Sequence, residues 1–263
     1  MLAASLIIIQ YKQYVIEQRY IGMSIIKPYS NSVKGKKEQV AEMFDNIAPK
    51  YDFLNHFLSF GIDKIWRRKA IRLLLKRFPD NILDVATGTG DFAIESLKTG
   101  ARKIIGVDIS EEMLAVGRAK IEAMGLGNRI TLQKGDSEEL GFSDNSFDAV
   151  IVAFGVRNFE NLSKGINELF RVLKPGGMVC ILEFSKPKNF PVKQIYGFYS
   201  FFILPFFGRL FSKDKSAYRY LPESVENFPD GEEFITVLRK SGFNQTMQHR
   251  QTFGVATIYV GIK

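Results

Sequence analysis

The sequence contains very little cysteine and histidine. Cys180 is the single cysteine among 263 residues, which excludes an intramolecular disulfide and a cysteine-rich zinc site and is typical of a reducing compartment. His56 and His249 are the two histidines, so the chain lacks the ligands of a catalytic transition-metal site. We therefore predict no metal centre, while composition leaves oxygen-ligated Mg²⁺ open.

A hydrophobic run of the roughly 20 residues needed to cross a bilayer is also absent. Residues 6–9 form an apolar stretch of only four residues with no basic residue before it, so they are neither a secretory signal nor a membrane span. Met23 offers an alternative start, and we interpret residues 1–22 as an extension upstream of the functional fold. The alternative is a short helix docked on the body of the protein.

The net charge of +8 is distributed unevenly along the chain. Residues 34–77 carry eleven basic and five acidic side chains, and residues 184–263 carry eleven and six, whereas residues 78–183 carry eleven and sixteen. A nucleic-acid-binding protein concentrates basic side chains on its main binding surface, but here the central part is acidic. The distribution argues against a nucleic-acid partner and favours an anionic membrane or an anionic substrate.

Short apolar runs alternate with helical segments between residues 82 and 184. The runs are ILDVAT, KIIGVDI, RITLQKGD, FDAVIVAFG and MVCILEFS, and two further strand-like segments close the chain. Strands separated by crossover helices form a parallel sheet covered on both faces, so we predict a doubly wound α/β domain over residues 81–263. Amphipathic segments before it predict a helical lid over residues 38–80, after an extension and linker over residues 1–37.

Glycine and acidic residues follow the first three predicted strands. In a doubly wound sheet, ligands bind outside the carboxyl ends of the strands, where the strand order reverses. Backbone N–H groups of a glycine turn can approach an anionic ligand there. A carboxylate after the second strand can accept hydrogen bonds from both hydroxyls of a ribose. Side chains at the end of the third strand can bond an adenine amino group. The predicted cofactor-binding residues are Gly88, Thr89, Gly90, Asp108, Asp136 and Ser137.

These residues indicate an adenosine-type ligand, either NAD or S-adenosylmethionine. The string GTGDFA satisfies the dinucleotide pattern G-x-G-x-x-A. However, the acidic end of the third strand favours S-adenosylmethionine, and the sequence lacks the Tyr-x-x-x-Lys pair that we expect after the fourth strand of a dehydrogenase. The alternative to a binding role is structural: Gly88 and Gly90 would serve only a tight turn, and Asp108 would be a solvated strand end.

Several strings resemble class I S-adenosylmethionine methyltransferases in order and spacing: LDVATGTGDF, GVDISEEML, GDSEELGFSDNSFD and RVLKPGG. More specific strings within residues 40–263 resemble the quinone-biosynthesis C-methyltransferase family (UbiE/MenG): YDFLNHFLSFGIDKIWRR, AFGVRNF, ILEFSKP, AYRYLPESVENFPDG and QTFGVATIYVG. The resemblance implies a Rossmann-like, mostly parallel seven-stranded sheet with an antiparallel last strand. Two residues depart from the family pattern. Asp63 stands where many members have histidine, and Ala153 stands where some members have a small polar residue.

The resemblance implies C-methylation of a demethylated polyprenyl quinol with S-adenosylmethionine as donor, in menaquinone synthesis, ubiquinone synthesis or both. Arg157 is the first candidate catalytic residue because a guanidinium can stabilise a developing phenolate, and Tyr51 in the lid is the second. Asn158 is a candidate substrate contact or, equally, a helix N-cap. We interpret His56 as a hydrogen-bonded buried histidine rather than a base.

Residues 190–222 form an aromatic insertion that contains an uncharged run, QIYGFYSFFILPFFG, at residues 194–208. Fifteen residues are too few to span a bilayer, so we predict that they line the quinol entrance and contact anionic membrane, with Phe201 and Phe202 binding substrate. A cover buried on the sheet domain is the alternative. We expect a cytoplasmic protein at the inner face of the cell membrane, with homodimerisation open.

Two rival functions come from different classes. One is methylation of another hydrophobic small molecule, such as a sterol or a phenol. The other is a non-catalytic membrane-surface module that retains the fold, because one scaffold serves many functions.

Overall fold

A computed structural model describes residues 26–203 and 215–263. Within these residues, seven strands form one sheet: β1 (Asn81–Val85), β2 (Lys103–Asp108), β3 (Ile130–Lys134), β4 (Phe147–Ala153), β5 (Leu173–Phe184), β6 (Asn244–Gln251) and β7 (Ala256–Ile262). The strand order is β3-β2-β1-β4-β5-β7-β6. β1 to β5 pair in parallel, and β7 runs antiparallel to both of its neighbours, β5 and β6, so the predicted fold class is confirmed.

The α-helices of the described residues are α1 (Lys36–Ile47), α2 (Tyr51–Leu58), α3 (Ile62–Leu75), α4 (Asp91–Ser96), α5 (Glu111–Ala123), α6 (Leu162–Val172), α7 (Val192–Phe198), α8 (Lys215–Asn227) and α9 (Glu232–Lys240). The predicted helical lid begins at residue 38, but α1 begins at Lys36. Apolar spacing detects only the packed face of a helix, whereas the first turn of α1 is polar, with Glu38 accepting the N–H of Gly35.

Alternate residues of the central strands face two hydrophobic clusters on opposite sides of the sheet. Ile82 belongs to the cluster under α3, α4 and α5, and the next residue, Leu83, belongs to the cluster under α6 and α9. Trp66 and Cys180 both lie in the first cluster. The sheet is therefore covered on both faces, as its continuous apolar strands predict.

A third apolar cluster covers the carboxyl edge of the sheet. It joins α1, α2 and α8 through Val40, Met43, Ile47, Leu54, Ala217 and Tyr220. α3 packs on the face of the sheet instead. Of the helices that we predicted as a lid, α1 and α2 therefore lie over the carboxyl edge, and α8 from the aromatic insertion joins them there.

The aromatic insertion begins with α7 and a π-helical turn, Tyr199–Ile203, and ends within α8. The predicted extension at residues 1–22 and the end of the aromatic run at residues 204–208 lie outside the described residues. Within residues 26–203 and 215–263, every helix is too short or too polar to cross a membrane.

Candidate active site

The turns after β1 and β4 approach each other closely at the point where the strand order reverses. A Cβ added to Gly155, after β4, would lie 2.5 Å from the Cβ of Ala86, after β1, so a glycine is required there. Gly88 has a φ of +56°, and its N–H donates a hydrogen bond to Asp108 Oδ2 at 2.8 Å. The glycine turn therefore determines the position of the carboxylate that ends β2.

A pocket with both carboxylates and apolar side chains on its wall opens beside this turn, and we call it the cofactor pocket. Asp108 lines it, and the second oxygen of this carboxylate accepts the N–H of Ser110 at 2.9 Å. Burial raises the pKa of Asp108 above its ordinary value. Among the other lining residues are Gly88, Asp136, Ser137 and Asn158. Five of the residues that the sequence singled out thus meet around one pocket.

The side chains of the cofactor pocket match the polar groups of S-adenosylmethionine. Carboxylates at the ends of neighbouring strands suit the ribose and the adenine amino group, and the glycine turn suits an anionic end. Asn158 Oδ1 is buried without a hydrogen-bond partner among the described residues, so the pocket wall holds an acceptor for a ligand N–H. In the described part of the chain, no cluster of three or more His, Cys, Asp or Glu side chains is arranged to hold a metal ion.

Three predicted residues have other surroundings than expected. The Thr89 hydroxyl donates to Asp52 Oδ1 of α2 at 2.5 Å, and Gly90, with a φ of +81°, is the N-cap of α4. Direct cofactor contact by these two residues stays a prediction. The N-cap alternative for Asn158 is wrong, because Asn161 is the N-cap of α6 and accepts the N–H of Lys164 at 2.9 Å.

α1 crosses the cofactor pocket and is bonded to both of its sides. On one side, Lys37 Nζ lies 2.6 Å from Asp136 Oδ2, and Asp45 accepts a hydrogen bond from the Ser110 hydroxyl at 2.6 Å. On the other side, Lys36 Nζ donates to the carbonyl oxygen of Phe159 at 2.8 Å. Burial lowers the pKa of Lys36 to about 8.

A second, mostly apolar cavity of about 290 Å³ lies next to the cofactor pocket, and we call it the apolar chamber. Residues from α1, α2, α3 and the aromatic insertion line it, including Met43, Leu54, Leu58, Trp66, Tyr196, Tyr199 and Tyr220. Phe202, a predicted substrate-binding residue, is 65% exposed and stacks on Phe198. The described rings that the insertion places on the chamber wall are those of its tyrosines. Phe201 lies in the same π-helical turn as Phe202, and substrate binding by these two residues stays a prediction.

The cofactor pocket and the apolar chamber share the side chains of Phe44, Tyr51 and Phe154. Phe154 follows β4 with a φ of +59°, an unusual conformation for a bulky residue, and its ring stacks on Phe184 at 4.4 Å. Burial raises the pKa of Tyr51 to about 12, so its hydroxyl stays protonated at neutral pH. The two cavities therefore adjoin, and these three side chains line both of them.

Arg157 lies on the wall of the apolar chamber and pairs with a buried carboxylate. Its Nη1 lies 2.8 Å from Glu183 Oε1 and also donates to the carbonyl oxygen of Phe154. Its Nε donates to the Ser224 hydroxyl at 3.3 Å. Burial raises the pKa of Glu183, and the Arg157 guanidinium acts in the opposite direction. These partners fix the plane of the guanidinium.

Charged side chains connect α2 and α3 to the glycine turn. His56 lies between two carboxylates, with Nδ1 at 3.0 Å from Asp63 and Nε2 at 3.3 Å from Asp91. Lys120 bridges Asp52 at 2.6 Å and Asp91 at 2.7 Å. His56 is therefore hydrogen-bonded to Asp63, as we interpreted it, but it is only partly buried, whereas Asp63 is a buried partner in this cluster.

Our reading of the sequence missed Lys37, Glu183 and Tyr220. Glu183 carried a detectable signal, since a carboxylate in the apolar run CILEF is rarely buried without a partner. Lys37 resembles any exposed lysine of an amphipathic helix. Tyr220 belongs to the string AYRYLPESVENFPDG, which resembles the family but does not indicate where the side chain lies.

The model of the ubiE/COQ5 methyltransferase family matches residues 32–263. The chain belongs to this family. It is 52% identical over 239 residues to the demethylmenaquinone methyltransferase of Bacteroides fragilis, and the matched region covers 90% of this chain and 97% of that protein. It is 47% identical over 230 residues to the ubiquinone/menaquinone biosynthesis C-methyltransferase UbiE of Geotalea daltonii, covering 87% and 97% of the two chains.

A solved structure from Thermotoga maritima, described as an S-adenosylmethionine-dependent methyltransferase and possible histamine N-methyltransferase, has a TM-score of 0.57 to this fold. It is 20% identical and covers 84% of this chain and 99% of that one, so this likeness shows the fold alone. As a member of the ubiE/COQ5 family, the chain is an S-adenosylmethionine-dependent methyltransferase, which confirms the predicted enzyme class and cofactor.

Proposed function

We propose that this ubiE/COQ5 family member methylates a ring carbon of a demethylated polyprenyl quinol. The observation that carries the proposal is that Phe44, Tyr51 and Phe154 line both the cofactor pocket, which contains carboxylates, and the apolar chamber, so the two cavities adjoin. A charged donor and a hydrophobic acceptor can each be bound in matching surroundings and still meet. The relatives named for demethylmenaquinone and for ubiquinone/menaquinone biosynthesis support this class of acceptor.

S-adenosylmethionine, when bound, supplies an activated methyl group on its sulfonium. Gly88, Asp108 and Asp136 hold this donor in the cofactor pocket. Tyr51 donates a hydrogen bond to a ring oxygen of the acceptor, because burial keeps the tyrosine protonated. Arg157, held in place by Glu183, stabilises the negative charge on the acceptor oxygen after its phenolic proton passes to water. Once the ring carbon carries the methyl group, that carbon loses its hydrogen as a proton and the oxygen regains one, so the reaction releases one proton in all. The apolar side chains of the chamber exclude water from the reacting carbon.

The test is methyl transfer by the purified full chain from labelled S-adenosylmethionine to a panel of acceptors. We expect a product one methyl group heavier from a demethylated naphthoquinol, a benzoquinol or both, and no product from the oxidised quinones, whose ring carbons are not nucleophilic. Transfer to a sterol or a simple phenol with no transfer to any quinol would contradict the acceptor class. Binding of lipid without any methyl transfer would support the non-catalytic alternative.

We also propose that the rim of the apolar chamber contacts the inner face of an anionic membrane, from which the acceptor enters. Phe60 and Phe253 follow α2 and β6 and are 80% and 83% exposed. Phe198 and Phe202 are exposed in the segment whose tyrosines line the chamber. Exposed aromatic side chains can enter the acyl boundary. Lys188 and Lys193 are exposed near the start of α7 and suit anionic headgroups.

Phe253→Ser tests membrane contact, and Phe78→Ser is its matched control. Both phenylalanines are 83% exposed, but Phe78 precedes β1 and so lies at the amino edge of the sheet. We expect Phe253→Ser to reduce sedimentation with anionic liposomes severalfold and Phe78→Ser to leave it unchanged. Equal sedimentation of both variants and the wild type would contradict membrane contact through Phe253.

A further inference from the structure

The hydroxyl of Tyr220 in α8 is buried without a hydrogen-bond partner among the described residues. The residue is only 3% exposed and lines the apolar chamber. Other tyrosines are satisfied: Tyr199 donates to the carbonyl oxygen of Leu58 at 2.5 Å, and Tyr259 accepts the N–H of Gly231 at 2.8 Å. A buried hydroxyl without a partner is costly, so the Tyr220 hydroxyl requires an explanation.

Tyr220 and Arg157 both line the apolar chamber. Ser224 lies one helical turn after it, on the same face of α8, and the Ser224 hydroxyl accepts a hydrogen bond from Arg157 Nε at 3.3 Å. Burial raises the pKa of Tyr220, so the group remains a hydrogen-bond donor. The charges of Arg157 and Glu183 both act on it. α8 thus presents a proton donor close to the group that we assign to the acceptor oxygen.

We infer that the Tyr220 hydroxyl donates a hydrogen bond to a ring oxygen of the aromatic acceptor and makes the enzyme select acceptors that carry this oxygen. The inference rests on the proposed function. Tyr220 is then a specificity-determining residue, because a site that is built to bond an oxygen leaves a buried donor unpaired when the oxygen is missing. The ligand class that it selects is a dihydroxylated aromatic ring with an apolar tail, in preference to a monohydroxylated ring.

Tyr220→Phe tests this inference because it deletes only the hydroxyl. Binding can be followed by the fluorescence of Trp66, the single tryptophan of the chain, which lines the apolar chamber. The probes are 2-prenyl-1,4-dihydroxynaphthalene and the two monohydroxy compounds that each lack one hydroxyl, under reducing conditions. We expect Tyr220→Phe to raise the Kd of the dihydroxy probe about threefold to tenfold. We expect the variant and the wild type to bind one monohydroxy probe with equal affinity, namely the probe that lacks the oxygen to which Tyr220 donates.

Tyr259→Phe is the matched control, because Tyr259 is also buried but its hydroxyl already has a partner in the core. We expect Tyr259→Phe to lower Tm and to leave probe affinity unchanged, whereas Tyr220→Phe lowers affinity without lowering Tm. If Tyr220→Phe binds all three probes as the wild type does while the wild type methylates a quinol, the inference is wrong and the proposed function stands. If the wild type binds and methylates none of the probes or quinols, both are wrong.

Discussion

Arg157 and Glu183 form an ion pair, 2.8 Å between Nη1 and Oε1, in which both side chains are almost completely buried. Arg157 follows β4 and Glu183 lies near the end of β5, so the pair bridges the two neighbouring strands at the edge where the apolar chamber opens. A buried ion pair contributes less to stability than its short distance suggests, because both charges lose their hydration. Its value here is the fixed position of a guanidinium beside the acceptor.

Arg157→Lys should separate the position of this charge from its presence. Lysine keeps the charge but loses the planar group that bonds Glu183 and Ser224 together. We expect single-turnover methyl transfer to fall about 100-fold, with the Kd of S-adenosylmethionine within about twofold of wild type.

Arg171→Lys is the control, since the Arg171 guanidinium in α6 also bonds more than one side chain, here Glu168 and Asp144, but Arg171 is not among the residues that line the chamber. It should lower stability and leave turnover unchanged. Wild-type turnover by Arg157→Lys would make Tyr51 the better candidate for the catalytic role.

Asp108→Asn should weaken binding of S-adenosylmethionine about tenfold to a hundredfold, because a charge-assisted hydrogen bond contributes roughly 1.5 to 3 kcal/mol. Isothermal titration calorimetry measures the change. Asp148→Asn is its control: Asp148 also accepts two backbone N–H groups, at 3.2 and 2.8 Å, but at the amino edge of the sheet. An unchanged donor affinity for Asp108→Asn would make this carboxylate a structural strand end.

Lys120→Met should loosen the attachment of α2 to the glycine turn. Lys120 bonds Asp52 of α2 and Asp91 of α4, and without it two partly buried carboxylates face each other. We expect amide hydrogen exchange over residues 51–58 to become about tenfold faster. Lys98→Met removes an exposed pair with Glu95 and should leave that exchange unchanged. Equal exchange in both variants would show that the lid is held by its apolar contacts alone.

Lys36→Met should change how stability depends on pH. The pKa of Lys36 is about 8 in the folded protein, below its ordinary value of 10.5, so the unfolded chain binds one more proton between these pH values. Raising the pH through this window therefore stabilises the folded wild type, and the contribution is constant below about pH 8. We expect the free energy of unfolding of wild type, relative to Lys36→Met, to rise between pH 7.5 and pH 9.5 in urea titrations. A constant difference would mean that Lys36 titrates normally.

The sequence predicted the sheet and the residues that follow its strands. Continuous apolar runs such as residues 147–153 are local patterns, and an alternation of such runs with helices allows few topologies. The glycine turn and Asp108 could be placed in one site for the same reason, because the carboxyl ends of parallel strands share one edge.

Packing between distant parts of the chain decided the rest. Apolar spacing marked one face of α3 without indicating that this face packs on the sheet rather than over the site. The pairs Lys37–Asp136 and Thr89–Asp52 join side chains from separate elements, and Tyr220 reaches the chamber only because α8 folds back over α1. In the unfolded chain each of these side chains can adopt many solvent-exposed conformations. Tertiary contacts select one of them, because folding removes apolar surface from water and buries a polar group only where it finds a hydrogen-bond partner.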